Sequence, residues 1–120
     1  MALKIYQCEK CKKTVVSKDC MKLDGWVELI VGSVDAAKEK HVPVVTVDGA
    51  KVKVDVGSVA HPMTEEHLIE WVALETEKGY QVQYLAANVA PVCNFVVAEG
   101  DKPVAVYAYC NLHGVWSANV

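Results

Sequence analysis

Apolar and polar positions alternate with period two over much of this chain, and the alternation is broken by turn-forming pairs. Val52, Val54 and Val56 interleave with Lys51, Lys53 and Asp55, which gives one buried and one wet face. The preceding run Val44-Val45-Thr46-Val47 is separated from it by Asp48-Gly49, a hairpin signal because glycine tolerates positive φ at the turn. Similar stretches span 67–75, 80–85, 92–98, 103–110 and 115–118. Lys78-Gly79 and Glu99-Gly100-Asp101-Lys102 read as two further hairpin turns. About seven short strands at this spacing predict an all-β sandwich and not an alternating β/α plan. One helical turn is expected near Asp35-Ala36-Ala37-Lys38, with Asp35 as its N-cap. Nothing repeats internally.

Composition narrows the class. With 120 residues, 52% of them apolar, the chain has material for about one ordinary domain with a filled core. Met1-Ala2-Leu3-Lys4-Ile5-Tyr6 leads into a polar stretch without a long apolar run, so neither a signal peptide nor a membrane span is expected and a cytoplasmic location is the default. Five cysteines is an odd number, and in a reducing compartment the C-x-x-C pair Cys8 and Cys11 suggests metal or redox chemistry over a disulfide framework. Residues 1–22 carry six lysines against Glu9 and Asp19, a solvated surface or a guide for an acidic protein partner. Arginine is absent and the net charge is −3, which argues against a nucleic-acid partner.

The candidate chemistry lies in three packets that use every histidine of the chain: Glu39-Lys40-His41-Val42-Pro43, His61-Pro62-Met63-Thr64-Glu65-Glu66-His67 and Cys110-Asn111-Leu112-His113-Gly114. Each has a turn-former or chain-stiffener beside its ligand-type residues, so the packets can converge on one metal centre. Strand parity places His67 with Ile69, Trp71 and Ala73, and Cys110 with Val104, Val106 and Ala108, each at the end of an inward row. A lone histidine or cysteine on such a face is most often a satisfied core residue; the collective pattern is what argues for a metal. Four imidazoles and a thiolate exceed a closed tetrahedral zinc site. They suit five-coordinate iron with imidazoles around the metal, the thiolate on the axis and one face open to a small oxidant.

On these residues the sequence resembles the superoxide reductase family, which includes desulfoferrodoxin and neelaredoxin. Order, spacing and ligand type agree across the three packets, with Gly57-Ser58-Val59-Ala60 and Gly114-Val115-Trp116 flanking them. The resemblance runs from about Val34 to the C-terminus, so 34–120 is expected to be the iron-binding domain. It implies an immunoglobulin-like sandwich and one mononuclear non-haem iron. The equatorial ligands would be His41, His61, His67 and His113, and the axial one Cys110. The implied reaction is one-electron reduction of superoxide to hydrogen peroxide with uptake of two protons.

Beside that site, Lys40 is expected to attract the superoxide anion and help orient it or a proton-bearing water. Glu39 is expected to act as a lid on the sixth position once the iron is ferric. Backbone N–H groups of Leu112 and His113 should point at the Cys110 thiolate. Met63, Trp71 and Trp116 are read as packing, and Cys93 as a small buried hydrophobe.

Longer family members begin with a desulforedoxin-like module whose four cysteines hold a second iron. Here only Cys20 follows Cys8 and Cys11, so residues 1–33 are expected to be a degenerate form of that module without the second iron; a zinc ion or iron–sulfur cluster completed by another ligand is the alternative. No dinucleotide fingerprint occurs, which implies an external protein electron donor. The family implies a rubredoxin-like donor and a homodimer or homotetramer. The competing reading is a non-enzymatic iron electron-transfer or metal-binding module with a closed sixth site.

Overall fold

The structure, a computed structural model, describes residues 2–120. Among these residues, ten strands form three antiparallel sheets. β1 (Lys4–Cys8), β2 (Thr14–Ser17) and β3 (Trp26–Leu29) make a small sheet in the order β2-β1-β3. The remaining strands are β4 (Pro43–Asp48), β5 (Lys51–Val56), β6 (Ile69–Thr76), β7 (Tyr80–Tyr84), β8 (Val92–Val96), β9 (Pro103–Cys110) and β10 (Gly114–Asn119). They form a sandwich of a four-stranded sheet, β10-β9-β6-β7, and a three-stranded sheet, β4-β5-β8. Seven strands divided four and three is the plan of an immunoglobulin-like sandwich. Among the described residues, no helix is long and apolar enough to cross a membrane.

The alternating valines of β5 meet Cys93 and Phe95 of β8 on one side of the core and Ile69, Val72, Leu74, Val106, Ala108 and Cys110 on the other. The Asp48-Gly49 hairpin forms as expected, with Val47 opposite Val52 and Gly49 at φ 59°. Lys78-Gly79 likewise joins the paired strands β6 and β7. The turn at Glu99-Gly100-Asp101-Lys102 does not close a hairpin. β8 pairs with β5 and β9 with β6 and β10, so this turn carries the chain from one sheet to the other. Local turn chemistry fixes the reversal but not the pairing partner.

β6 departs from simple parity. Ile69 faces Cys110 and Trp71 faces Tyr109, so Glu70 is an extra, bulged residue opposite one position of β9. A one-residue insertion flips every later side chain. Val72 and Leu74 therefore enter the sandwich core with Ile69, while Trp71 and Ala73 point the other way and leave the inward row expected for them with His67 and Ile69. Cys110 keeps its expected company of Val106 and Ala108, although Val104 at the strand start is exposed.

The outer face of the four-stranded sheet is also covered. Leu3 and Ile5, with Val16, Leu29 and Val31, pack on Trp71, Ala73, Tyr107, Tyr109 and Val115. The N-terminal segment is thus a third layer, and it buries the face that period-two alternation alone would leave wet. Its polar ties are Trp71 Nε1–H to Thr14 Oγ1 at 2.8 Å and Gln7 Nε2–H to the Tyr109 hydroxyl at 2.9 Å. Tyr107 donates to the buried Glu75 carboxylate at 3.0 Å, which satisfies an acid in this second core.

Candidate metal centre

Three connections deliver the ligand-type residues to one edge of the sandwich. The helical turn, α1, spans Lys38–His41 and not the expected 35–38; Ala37 precedes it and no side chain caps it, so Asp35 plays no part. The shift places His41 in the last position, with Val42 N–H bonded to the Lys38 carbonyl at 2.9 Å and Pro43 starting β4. His61 and His67 lie in the β5–β6 connection. Cys110 ends β9 and His113 lies in the short turn before β10.

The imidazoles close into a ring. Successive centroids are 4.7 Å apart for His41–His61, 4.7 Å for His61–His67, 5.2 Å for His67–His113 and 4.9 Å for His113–His41, each pair nearly edge-on. Donor atoms of His41, His61, His67 and Cys110 lie within 4.8 Å of one another. His113 joins through Nδ1, 3.1 Å from His41 Nε2 and 3.8 Å from Cys110 Sγ.

Hydrogen bonds fix which nitrogens face inward. His41 Nδ1–H donates to the Ala37 carbonyl and His61 Nδ1–H to the Pro62 carbonyl, both at 2.7 Å. A carbonyl only accepts, so the ring protons sit on Nδ1 and both Nε2 atoms carry lone pairs. Those two Nε2 atoms are 3.2 Å apart in a buried space, and His67 Nε2 is buried without a hydrogen-bond partner. Converging lone pairs that lack a proton between them need a cation. The donor set of imidazoles and one thiol suits iron, as expected from the sequence.

Burial reinforces this. Desolvation pushes His61 down to about 4, helped by His41, His67 and His113, and lowers His67 with a contribution from the Lys40 ammonium. Metal-ready neutral imidazoles are the result at pH 7. Burial raises the Cys110 thiol, while the N–H groups of Leu112 and His113 pull the other way, as expected for the turn after the cysteine. These donors favour the thiolate, and a cation held by the imidazoles would favour it further.

A pH prediction follows for the metal-free chain. Between about 4 and the ordinary histidine value near 6.5, His61 binds fewer protons folded than unfolded. Stability then rises with pH across that window and falls on acidification. Denaturant titrations of apo-protein at pH 7 and pH 4.5 should show the loss; equal midpoints would contradict a buried neutral His61.

Three side chains have site contacts that the sequence did not reveal. The Asn111 side chain accepts from Leu68 N–H at 3.1 Å and donates to the Glu66 carbonyl at 2.9 Å, which clamps the residues on both sides of His67 to the turn carrying His113. Thr64 Oγ1 accepts from His67 N–H at 3.0 Å. Trp116, taken for packing alone, tilts over the His41 ring at 5.1 Å and donates Nε1–H to the His113 carbonyl at 3.0 Å. An amide inside a ligand packet and an aromatic just after it were the available signals. Met63 and Cys93 do pack in the core, and burial pushes the Cys93 thiol up to about 11.

Glu39 and Lys40 lie exposed in α1 beside buried His41. The Glu39 backbone carbonyl accepts from Val59 N–H at 2.8 Å and from the Ser58 hydroxyl at 3.2 Å, tying the turn to the loop that carries His61. Cys8 ends β1 and Cys11 lies in the β1–β2 turn, outside the ligand group, and Cys20 lines a separate cavity of about 400 Å³ with Tyr6, Met21 and Trp26. Among the described residues, the gathered group of metal-ligating side chains is the one built on His41, His61, His67 and Cys110.

Comparison with known proteins agrees with this geometry. The family model described as Desulfoferrodoxin matches residues 33–119. The chain belongs to the desulfoferrodoxin family. It is 39% identical to the desulfoferrodoxin of Desulfarculus baarsii, over 97% of this chain and 95% of that one. Among solved structures, the superoxide reductase of Treponema pallidum superposes with a TM-score of 0.88 at 43% identity, covering 99% of this chain and all of that one. The one-iron superoxide reductase of Giardia intestinalis gives 0.60 at 35% identity and covers 69% of this chain and 98% of that one. This member of the desulfoferrodoxin family thus has three sheets and a histidine ring over a buried cysteine.

Proposed function

We infer that the chain is a superoxide reductase. The observation that carries the reading is the closed ring of four imidazoles beside a buried thiol, in which the Nε2 lone pairs of His41 and His61 meet without a proton between them. His41, His61, His67 and His113 would hold one non-haem iron with Cys110. Bound there, iron would supply the electron that, with two protons, takes superoxide to hydrogen peroxide, and an external donor protein would restore it.

The chain's own residues prepare this chemistry. The Ala37 and Pro62 carbonyls hold His41 and His61 in the ligating tautomer. Leu112 and His113 N–H groups stabilise the Cys110 thiolate. Asn111 keeps the His67 loop against the His113 turn, and Trp116 covers one face of His41. The Lys40 ammonium, whose charge reaches His67, attracts an anionic substrate to a protein that is acidic overall. Glu39, in the same exposed turn, is the candidate lid. Residues 1–33 act as a degenerate desulforedoxin-like module and 34–120 as the catalytic domain. The protein works in the cytoplasm as a homo-oligomer, with a rubredoxin-like donor.

Metal analysis with stopped-flow superoxide reduction tests the reading. One iron per chain, a red thiolate-to-ferric band that appears with superoxide, and hydrogen peroxide without dioxygen are expected. Zinc alone, or iron inert to superoxide, would overturn it. The same assay separates the two exposed residues. Lys40→Ala should slow superoxide capture by roughly tenfold, the low end of the effect of electrostatic focusing on on-rates, with the spectrum unchanged. Glu39→Ala should alter the ferric spectrum and its pH dependence and leave capture intact.

A further inference from the structure

The N-terminal C-x-x-C is left unused by the reaction above, and its geometry is specific. Cys8 ends β1, residues 9–11 turn, and Cys11 N–H donates to Cys8 Sγ at 3.4 Å. The turn is locked from outside by Lys12 N–H to the Cys8 carbonyl at 2.9 Å, Cys8 N–H to the Lys13 carbonyl at 2.9 Å and Glu9 N–H to the Gly25 carbonyl at 2.8 Å. Cysteines three apart across a turn fall within the Cα separation that a disulfide spans. Cys11 is exposed and Cys8 half-buried, so a small oxidant can reach both. In sequence the pair has Glu9 and Lys10 between its cysteines and Lys12 and Lys13 directly after it.

The same arrangement activates one sulfur. Hydrogen bonds from Cys11 N–H, the Cys11 thiol and Lys10 N–H hold Cys8 below the usual thiol range. A thiolate accepting from a neighbouring thiol is the attacking and resolving pair of a dithiol centre. Four-thiolate iron does not fit here. Trp26 stands opposite Cys8 in the β1–β3 pairing, and Cys20 lines the separate cavity beyond it.

We propose that Cys8 and Cys11 form a peroxide-reactive dithiol that closes to a disulfide. The Cys8 thiolate attacks one peroxide oxygen; an S–O bond forms, the O–O bond breaks, and hydroxide leaves and takes a proton to become water. Cys11 then attacks the Cys8 sulfur, the S–S bond forms, the S–O bond breaks, and the second oxygen leaves as water. Two thiols and one hydrogen peroxide give one disulfide and two waters, with both electrons supplied by sulfur. The physiological oxidant rests on the superoxide reductase reading, whose product is hydrogen peroxide. The dithiol chemistry does not, and it is tested with added peroxide.

The experiment treats the full iron-loaded chain, and separately the metal-free chain, with a few equivalents of hydrogen peroxide. Alkylation and peptide mass mapping follow. The expected result in both forms is a Cys8–Cys11 disulfide forming roughly tenfold faster than Cys20 is oxidised. Cys11→Ser should leave a sulfenic acid on Cys8 that a dimedone-type reagent captures, while Cys8→Ser should leave Cys11 unreacted at the same dose. Two alkylated thiols in the wild type, direct over-oxidation without a disulfide, equal oxidation of Cys20, or a metal that shields the pair would each overturn the proposal. Superoxide reduction measured on the same samples reports independently on the iron site.

Discussion

Replacing Cys110 with serine should abolish the red charge-transfer band, deplete the chain of iron and reduce superoxide reduction by more than about 100-fold, the upper end of what losing a metal's supporting partner costs. Cys110 is fully buried and its sulfur is 3.8 Å from His113 Nδ1. Burial alone would keep it a thiol, and the chain offsets that with N–H groups from Leu112 and His113 aimed at the sulfur. A serine hydroxyl is far less acidic and a hard donor, so the same two N–H groups would hold a neutral oxygen and not a polarizable anion. The side chains are nearly equal in size and the pocket already supplies hydrogen bonds, so the variant should fold. Metal content, the visible spectrum and circular dichroism on one preparation separate the outcomes. A folded Cys110→Ser chain with full iron and an unchanged band would remove Cys110 from the ligand set.

Particular residues show what was legible in advance. The three ligand packets, the Asp48-Gly49 hairpin and the seven sandwich strands follow from spacing and period, which are local properties. What escaped depends on a second element. Glu70 bulges because β9 is its partner, and that puts Val72 and Leu74 on the face of Ile69 and moves Trp71 and Ala73 off it. The Glu99–Lys102 turn joins two sheets because β8 finds β5. The strands of the N-terminal layer are only four or five residues long and lie in a lysine-rich stretch, so their apolar positions show no clear period. They become intelligible once Leu3 and Ile5 are seen against Tyr107 and Tyr109. At the site, the tautomers of His41 and His61 are set by two backbone carbonyls, which leave no mark in a residue pattern.

Gly57→Ala should be the most damaging substitution outside the ligands themselves. A Cβ built at Gly57 lies 2.7 Å from the Glu39 carbonyl oxygen, 2.9 Å from that of Val42 and 3.1 Å from the Lys40 carbonyl carbon. All three are backbone atoms, so no side chain can swing aside. The two segments that would be forced apart are α1, which ends in His41, and the loop leading to His61. They are stitched by Val59 N–H and the Ser58 hydroxyl on the Glu39 carbonyl. A ligand pair held with Nε2 atoms 3.2 Å apart has little room for such a shift. Overpacking of this kind costs about 1–3 kcal/mol, which for a domain near this size lowers the unfolding midpoint by roughly 5–20 °C. Because the displaced segments carry two imidazoles, iron affinity should fall by a further 10- to 100-fold or so, as when supporting contacts of a metal site are lost. Gly79→Ala is the control, since its Cβ would meet nothing within 4 Å. Thermal unfolding of the metal-free chains isolates the packing cost, and competitive chelator titration of the loaded chains isolates the effect on the site. A Gly57→Ala chain as stable as the control, with unchanged iron affinity, would mean that the α1 turn yields without moving His41, and that its close seat on the 57–61 loop does not hold the ring together.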